Sequence, residues 1–160
     1  MLQEFRNHIS GLAAAVGETD GDLQGLTSLL ALVDASLRTV DPIISPLDEV
    51  VTRAVSLAAP ALGPVSVTTR VGPRTGIKNC GSALECLLAA LLVDLAGGSV
   101  TRLRLRADST RGSLEIEIDS DGLRPALDSW RFLLACDLAA KLDATITAPP
   151  EVASYVVHFR

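Results

Sequence analysis

Apolar residues change their spacing several times along this chain, and each change marks a new element. Phe5, Ile9, Leu12 and Val16 recur at steps of four, three and four, which places them on one stripe of a helix. The polar run Gly17-Glu18-Thr19-Asp20-Gly21-Asp22 interrupts that rhythm. Asp20 or Asp22 then caps a second helix whose stripe is Leu23, Leu26, Leu30, Val33 and Leu37. Leu29 and Leu32 lie outside the stripe, giving the second helix more apolar surface than one partner covers. Pairing two such hairpins into a four-helix bundle would cover it, and packing on the rest of the chain is the alternative.

Val40-Asp41-Pro42, followed by Pro46, ends the hairpin, because proline removes a backbone donor and disfavours a helical residue before it. Beyond it, helix and strand periods alternate. Helices are expected over 47–59, 83–96 and 129–142, and strands over 65–71, 100–107, 114–119, 144–148 and 154–159, with a turn at 108–112. The pattern predicts an α+β chain: a helical hairpin over 1–41, then an α/β sandwich over 42–160 with helices on one face of a mixed sheet. There is no internal repeat.

Composition narrows the classes. With 160 residues, 48% of them apolar, the chain can bury a full core. A net charge of −5 argues against nucleic-acid binding, which depends on an excess of Lys and Arg to neutralise phosphates. Cys80, Cys86 and Cys136 form no C-x-x-C pair, suit neither a disulfide framework nor a zinc site, and read as reduced core residues. No segment approaches the ~20 uninterrupted apolar residues of a membrane span. The expectation is a soluble, cytoplasmic protein without a metal or other cofactor. Arg102, Arg104 and Arg106 alternate with leucines, and Glu115, Glu117 and Asp119 with isoleucines, so antiparallel pairing would set a basic row against an acidic one on the solvent face.

Gln3-Glu4-Phe5-Arg6-Asn7-His8-Ile9 resembles the phosphoacceptor box of sensor histidine kinases, with glutamine where the reactive histidine stands. The second part resembles, in order and spacing, the ATP-binding domain of the histidine kinase and gyrase superfamily. Pro46 to Val51 looks like the linker and first helix, and Leu84 to Ala96 like the helix that carries two asparagines four residues apart. Ile116 to Gly122 looks like the strand ending in the adenine-binding Asp-x-Gly, and Leu134 to Ile146 like the last helix and its following strand.

The resemblance also implies what is missing. Nucleotide binding in that family uses asparagines for magnesium and phosphates, an Asp for the adenine amine, and glycines where backbone amides approach phosphate. Here Ala90 and Asp94 hold the asparagine positions, Ser120 that of the adenine Asp, and Arg124 that of the second glycine. Asp121 and Gly122 complete this box, with Gly122 its retained glycine. Ser129, Trp130, Arg131 and Phe132 stand where two glycines alternate with hydrophobes, and the connection from Gly122 to Trp130 is short for an ATP lid. Asp94 reads as a capped or solvated carboxylate.

A phosphoacceptor needs a solvent-facing imidazole nitrogen and an acid that sets its tautomer. The Gln3 amide cannot become a histidine-like phosphoramidate, although it can imitate a neutral imidazole's shape and hydrogen bonding. His8 flanks the apolar stripe and is followed by Ile9 rather than an acid, so a boundary histidine with a structural hydrogen bond competes with a displaced phosphoacceptor. The resemblance therefore implies a homodimeric, catalytically degenerate pseudo-histidine kinase or phosphotransferase-like protein of two-component signalling. Its face around Gln3, Glu4, Arg6, Asn7 and His8 would engage a response regulator receiver domain or a partner kinase. The alternatives are an active histidine phosphotransferase using His8 and an anti-sigma-like or nucleotide-sensing protein.

Overall fold

The computed structural model describes residues 43–159 except 73, 74, 80, 81, 98, 111, 112 and 123–126. The expected hairpin over 1–41, with Gln3, Glu4, Arg6, Asn7 and His8, lies outside the described residues, as do Cys80 and Arg124. In chain order the elements are β1 (Ile43–Pro46), α1 (Leu47–Leu62), β2 (Ser66–Val71), β3 (Gly76–Asn79), α2 (Ala83–Leu95), β4 (Arg102–Thr110), β5 (Ser113–Ser120), α3 (Trp130–Lys141), β6 (Ala144–Thr147) and β7 (Ser154–Phe159). Among the described residues the main sheet has the order β2-β4-β5-β7-β6. β2 runs parallel to β4, and the other neighbours pair antiparallel. This is the mixed sheet expected from the sequence.

Alternation sorts each central strand onto two faces. Leu103, Leu105, Ile116, Ile118, Tyr155 and Val157 are buried and form the sheet's contribution to the core. The opposite face carries Arg104 across from Asp119 and Arg106 across from Glu117, so the basic and acidic rows do meet. Nitrogen–oxygen distances of 2.7 Å for Arg104 to Asp119 and 3.4 Å for Arg106 to Glu117 make these ion pairs. The Arg106–Glu117 pair is the more exposed of the two and contributes a few tenths to ~1 kcal/mol, whereas the Asp119 carboxylate is nearly buried and is held by both Arg104 and Arg106.

The helices cover the apolar face. α1 buries Leu47, Val50, Val51, Ala54, Ala58 and Leu62, and carries Asp48 and Glu49 in its first turn, where carboxylates favour the helix dipole. It stops at Gly63, whose φ of 56° suits a residue without Cβ, and Pro64 follows. α2 is buried on almost every side, from Ala83 to Val93 without a break, as a helix apolar all round must be. It packs against both α1 and α3.

Asn79 settles how α2 begins. The Ser82 side chain makes no capping bond. Instead the Asn79 side-chain oxygen accepts from the Leu84 amide at 3.2 Å, while its Nδ2 donates to Glu85 at 2.7 Å. Glu85, 7% exposed, also accepts from Arg53 Nε on α1 at 3.0 Å, so a nearly buried carboxylate is paired as well as hydrogen-bonded. Next to it, Cys86 is fully buried, and burial first, then the Glu85 charge, pushes its thiol up to about 12.

Three boundaries differ from expectation. β1 and β3 form a separate antiparallel pair where no strand was expected. α1 continues through Pro60 to Leu62, since a proline this near the end interrupts little of the remaining ladder. The turn expected over 108–112 is shorter, because the β4–β5 ladder continues to Thr110 opposite Ser113.

Candidate functional site

The two positions matched to the asparagines lie one turn apart on α2, yet their surroundings differ. Ala90 is fully buried in the core and offers no polar atom. Asp94 is half-buried and directs its carboxylate at α3 and β7: one oxygen accepts from the Ser129 hydroxyl at 2.5 Å, the other from the Tyr155 hydroxyl at 2.5 Å. Ser129 caps α3, and its oxygen accepts in turn from the Phe132 amide at 3.0 Å. The Phe132 ring stacks on Tyr155, with centroids 5.2 Å apart and planes 20° from parallel. Asp94, Ser129, Phe132 and Tyr155 thus close a ring of contacts that ties α2 to α3 and β7.

The segment matched to the last glycine motif is therefore occupied by side chains with local partners. Ser129 and Phe132 belong to the ring just described, and the Arg131 guanidinium lies over the Trp130 indole at 4.8 Å from its centroid.

At the end of β5, Ser120 and Asp121 also serve local structure. The Ser120 hydroxyl oxygen accepts from the Gly122 amide at 3.3 Å. Asp121 is exposed and accepts from the Thr101 amide at 2.9 Å, the Thr101 hydroxyl at 2.5 Å and the Arg102 amide at 3.0 Å. These donors, the Thr101 hydroxyl first, lower its pKa from 3.8 to about 2. A carboxylate depressed in this way contributes stability above its unfolded value and loses it as pH falls through about 2. Urea unfolding followed from pH 4 down to pH 2 is expected to show this loss, and Asp121→Asn to remove that part of the pH dependence.

Gly122 has a steric reason to be glycine. A Cβ built there would overlap Cγ2 of Val100, which is 7% exposed. Among the described residues no group of three or more His, Cys, Asp or Glu side chains is placed to hold a metal ion. No described helix is long and apolar enough to cross a membrane.

The structure brings Asp94 together with Ser129, and Ser120 with Gly122, but each through bonds that end within the protein. The sequence reading missed Tyr155 as the second partner of Asp94. Its signal was weak: a tyrosine at an inward position of β7, whose hydroxyl needs an acceptor once buried. It also gave no role to His158, which lies between Glu115 and Thr147 on the outer face of the sheet.

No family model matches the chain, and no curated protein matches it. Solved structures do. The chain is similar to the histidine kinase AdeS of Acinetobacter baumannii, with a TM-score of 0.61 and 13% identity over 98% of this chain and 82% of that one. It is similar to the ATP-binding domain of PrrB from Mycobacterium tuberculosis, with a TM-score of 0.60 and 21% identity over 74% and 95%. The mycobacterial sensor histidine kinase MprB gives a TM-score of 0.55 and 15% identity over 74% and 93%. The fold from β1 to β7 is that of a histidine kinase ATP-binding domain.

Proposed function

We propose that this protein is a catalytically degenerate histidine kinase or phosphotransferase-like module of two-component signalling. Its amino-terminal hairpin dimerises and engages a response regulator receiver domain or a partner kinase through Gln3, Glu4, Arg6, Asn7 and His8. The observation that carries the reading is the state of Asp94. The position that would serve magnesium and phosphate in an active kinase commits both carboxylate oxygens to Ser129 and Tyr155. Buried Ala90 one turn earlier and the Trp130–Arg131 pair beside Ser129 support the same conclusion. Loss of nucleotide chemistry with retention of the fold leaves protein contacts as the activity.

Two measurements on the full chain test this. Thermal unfolding with magnesium and ATP at millimolar concentration is expected to show no stabilisation; a ligand at ~100 times its Kd would add about 2.7 kcal/mol, a shift easily read. Titration calorimetry against receiver domains and kinases from the same cell is expected to find a saturable partner, lost when Glu4 and Arg6 are both replaced by alanine. ATP-dependent stabilisation would favour the nucleotide-sensing alternative, and the absence of any partner would overturn the docking role.

A further inference from the structure

The main sheet ends in β2 on one side and β6 on the other, and the two edges are built differently. β6 is four residues long and runs into Pro149-Pro150, so short length and proline blunt it. β2 reads Ser-Val-Thr-Thr-Arg-Val, rich in β-branched residues and free of proline and glycine. The Ser66 amide donates to the Thr101 carbonyl at 3.0 Å, and the parallel register turns the amides of Ser66, Thr68 and Arg70 toward β4. The backbone groups of Val67, Thr69 and Val71 therefore point out of the sheet, and among the described residues nothing pairs with them.

The two faces of this edge also differ. Inward, Val67 and Val71 pack partly on the core, with exposed Thr69 between them. Outward, Ser66, Thr68 and Arg70 stand beside Arg102, Arg104 and Arg106 of β4. Arg104 and Arg106 are held by Asp119 and Glu117, Arg53 by Glu49 and Glu85, and Arg131 lies over Trp130. Among the described arginines that leaves Arg70 and Arg102, both exposed, with no acid or ring against them.

We propose that β2 is a docking edge for an acidic, extended segment of a partner protein, which adds to the sheet as an antiparallel strand beyond β2. Alternate residues of the segment exchange backbone bonds with Val67, Thr69 and Val71, and their apolar side chains extend the inner face. The intervening residues lie on the outer face, where a carboxylate stands directly across from Arg70. That position is a non-hydrogen-bonded pair, the kind in which antiparallel side chains come closest. Arg102 lies two strand spacings from the added strand, about 10 Å, with only the short Ser66 side chain between, so its guanidinium serves a second carboxylate. A second copy of β2 suits the edge less well. Paired antiparallel about Thr69, it brings another Arg70 and Arg102 to this face and no acid to meet them.

The test uses the full chain and a capped peptide of alternating valine and glutamate. Titration calorimetry at low salt is expected to show saturable binding that a valine–lysine peptide does not share. N-methylation of the valines, whose amides face β2 in this register, abolishes binding, whereas N-methylation of the glutamates, whose amides face away, is tolerated. With the peptide bound, amide hydrogen exchange slows at Val67, Thr69 and Val71. Arg70→Glu weakens binding by roughly tenfold, as an attraction becomes a repulsion. Thr69→Pro removes an outward amide and abolishes binding, while the β2–β4 bonds stay intact. No binding, binding that survives N-methylation of the valines, or binding indifferent to Arg70→Glu would overturn the proposal. So would a fall in the solution mass of the peptide-free chain on Thr69→Pro, the sign of a second copy at this edge. Receiver binding through the hairpin is a separate titration on other residues, so the two readings fail independently.

Discussion

Asp94→Ala will lower the unfolding free energy by about 3 kcal/mol, measured as a fall in urea midpoint with an unchanged slope. The magnitude follows from the two hydroxyl donors that converge on its carboxylate. A hydrogen bond to a charged group contributes about 1.5–3 kcal/mol, and the half-buried position of Asp94 keeps the sum toward the lower end. Asp94→Asn retains the size of the side chain and one good acceptor, so it should cost about 1 kcal/mol. Ser129→Ala removes both a cap and a partner of Asp94, and should cost about 1–2 kcal/mol. Because the two residues share one bond, the double variant will be less destabilised than the sum of the single ones. A cost below about 0.5 kcal/mol for Asp94→Ala would mean that the carboxylate is held for a ligand rather than for the fold.

Gly122→Ala is expected to cost about 2–3 kcal/mol, because the new methyl group overlaps a buried Val100 methyl and one of the two strand ends must shift. Val100→Ala alone costs about 1–2 kcal/mol through lost packing. Combining them should restore part of the loss, since Val100→Ala makes the space that the added methyl group needs. Strict additivity in this cycle would rule out the Val100 contact as the reason for glycine. Gly122 thus has a packing reason to be glycine that holds with no ligand present.

From residue 47 onward the element order is legible in the sequence because the apolar period switches between helical steps and alternation at each boundary. β1 and β3 escape that signal. Each is four residues long, one ends in Pro46 and the other begins with Gly76, and they pair with each other outside the main sheet. The polar run Asp108-Ser109-Thr110 reads as a turn but lies within β4, because cross-strand pairing outweighs local composition. At the candidate site the unusual residues are visible one by one, as departures from the family's pattern. Their partners are not: Ser129 and Tyr155 lie 35 and 61 positions from Asp94, and Thr101 lies 20 from Asp121. No local period spans such distances, so a sequence shows that Asp94 departs from the pattern this segment resembles without showing which groups it bonds. Glu115 and His158, 43 positions apart, were hidden for the same reason.

The facing charge rows on β4 and β5 leave one question of assembly to a residue outside them. Sliding one strand by a single position would turn the arginines toward the leucine and isoleucine core, so that error is forbidden by burial. Sliding by two positions in one direction keeps every face and still sets Arg102, Arg104 and Arg106 opposite Asp119, Glu117 and Glu115, so the ionic rows cannot tell this arrangement from the native one. Asp121 can. Its three bonds to Thr101 and Arg102 exist only when the end of β5 meets the start of β4. An exposed carboxylate matched to a nucleotide motif thus acts as a vernier stop for the hairpin, admitting one of two alignments that charge and hydrophobicity leave equivalent.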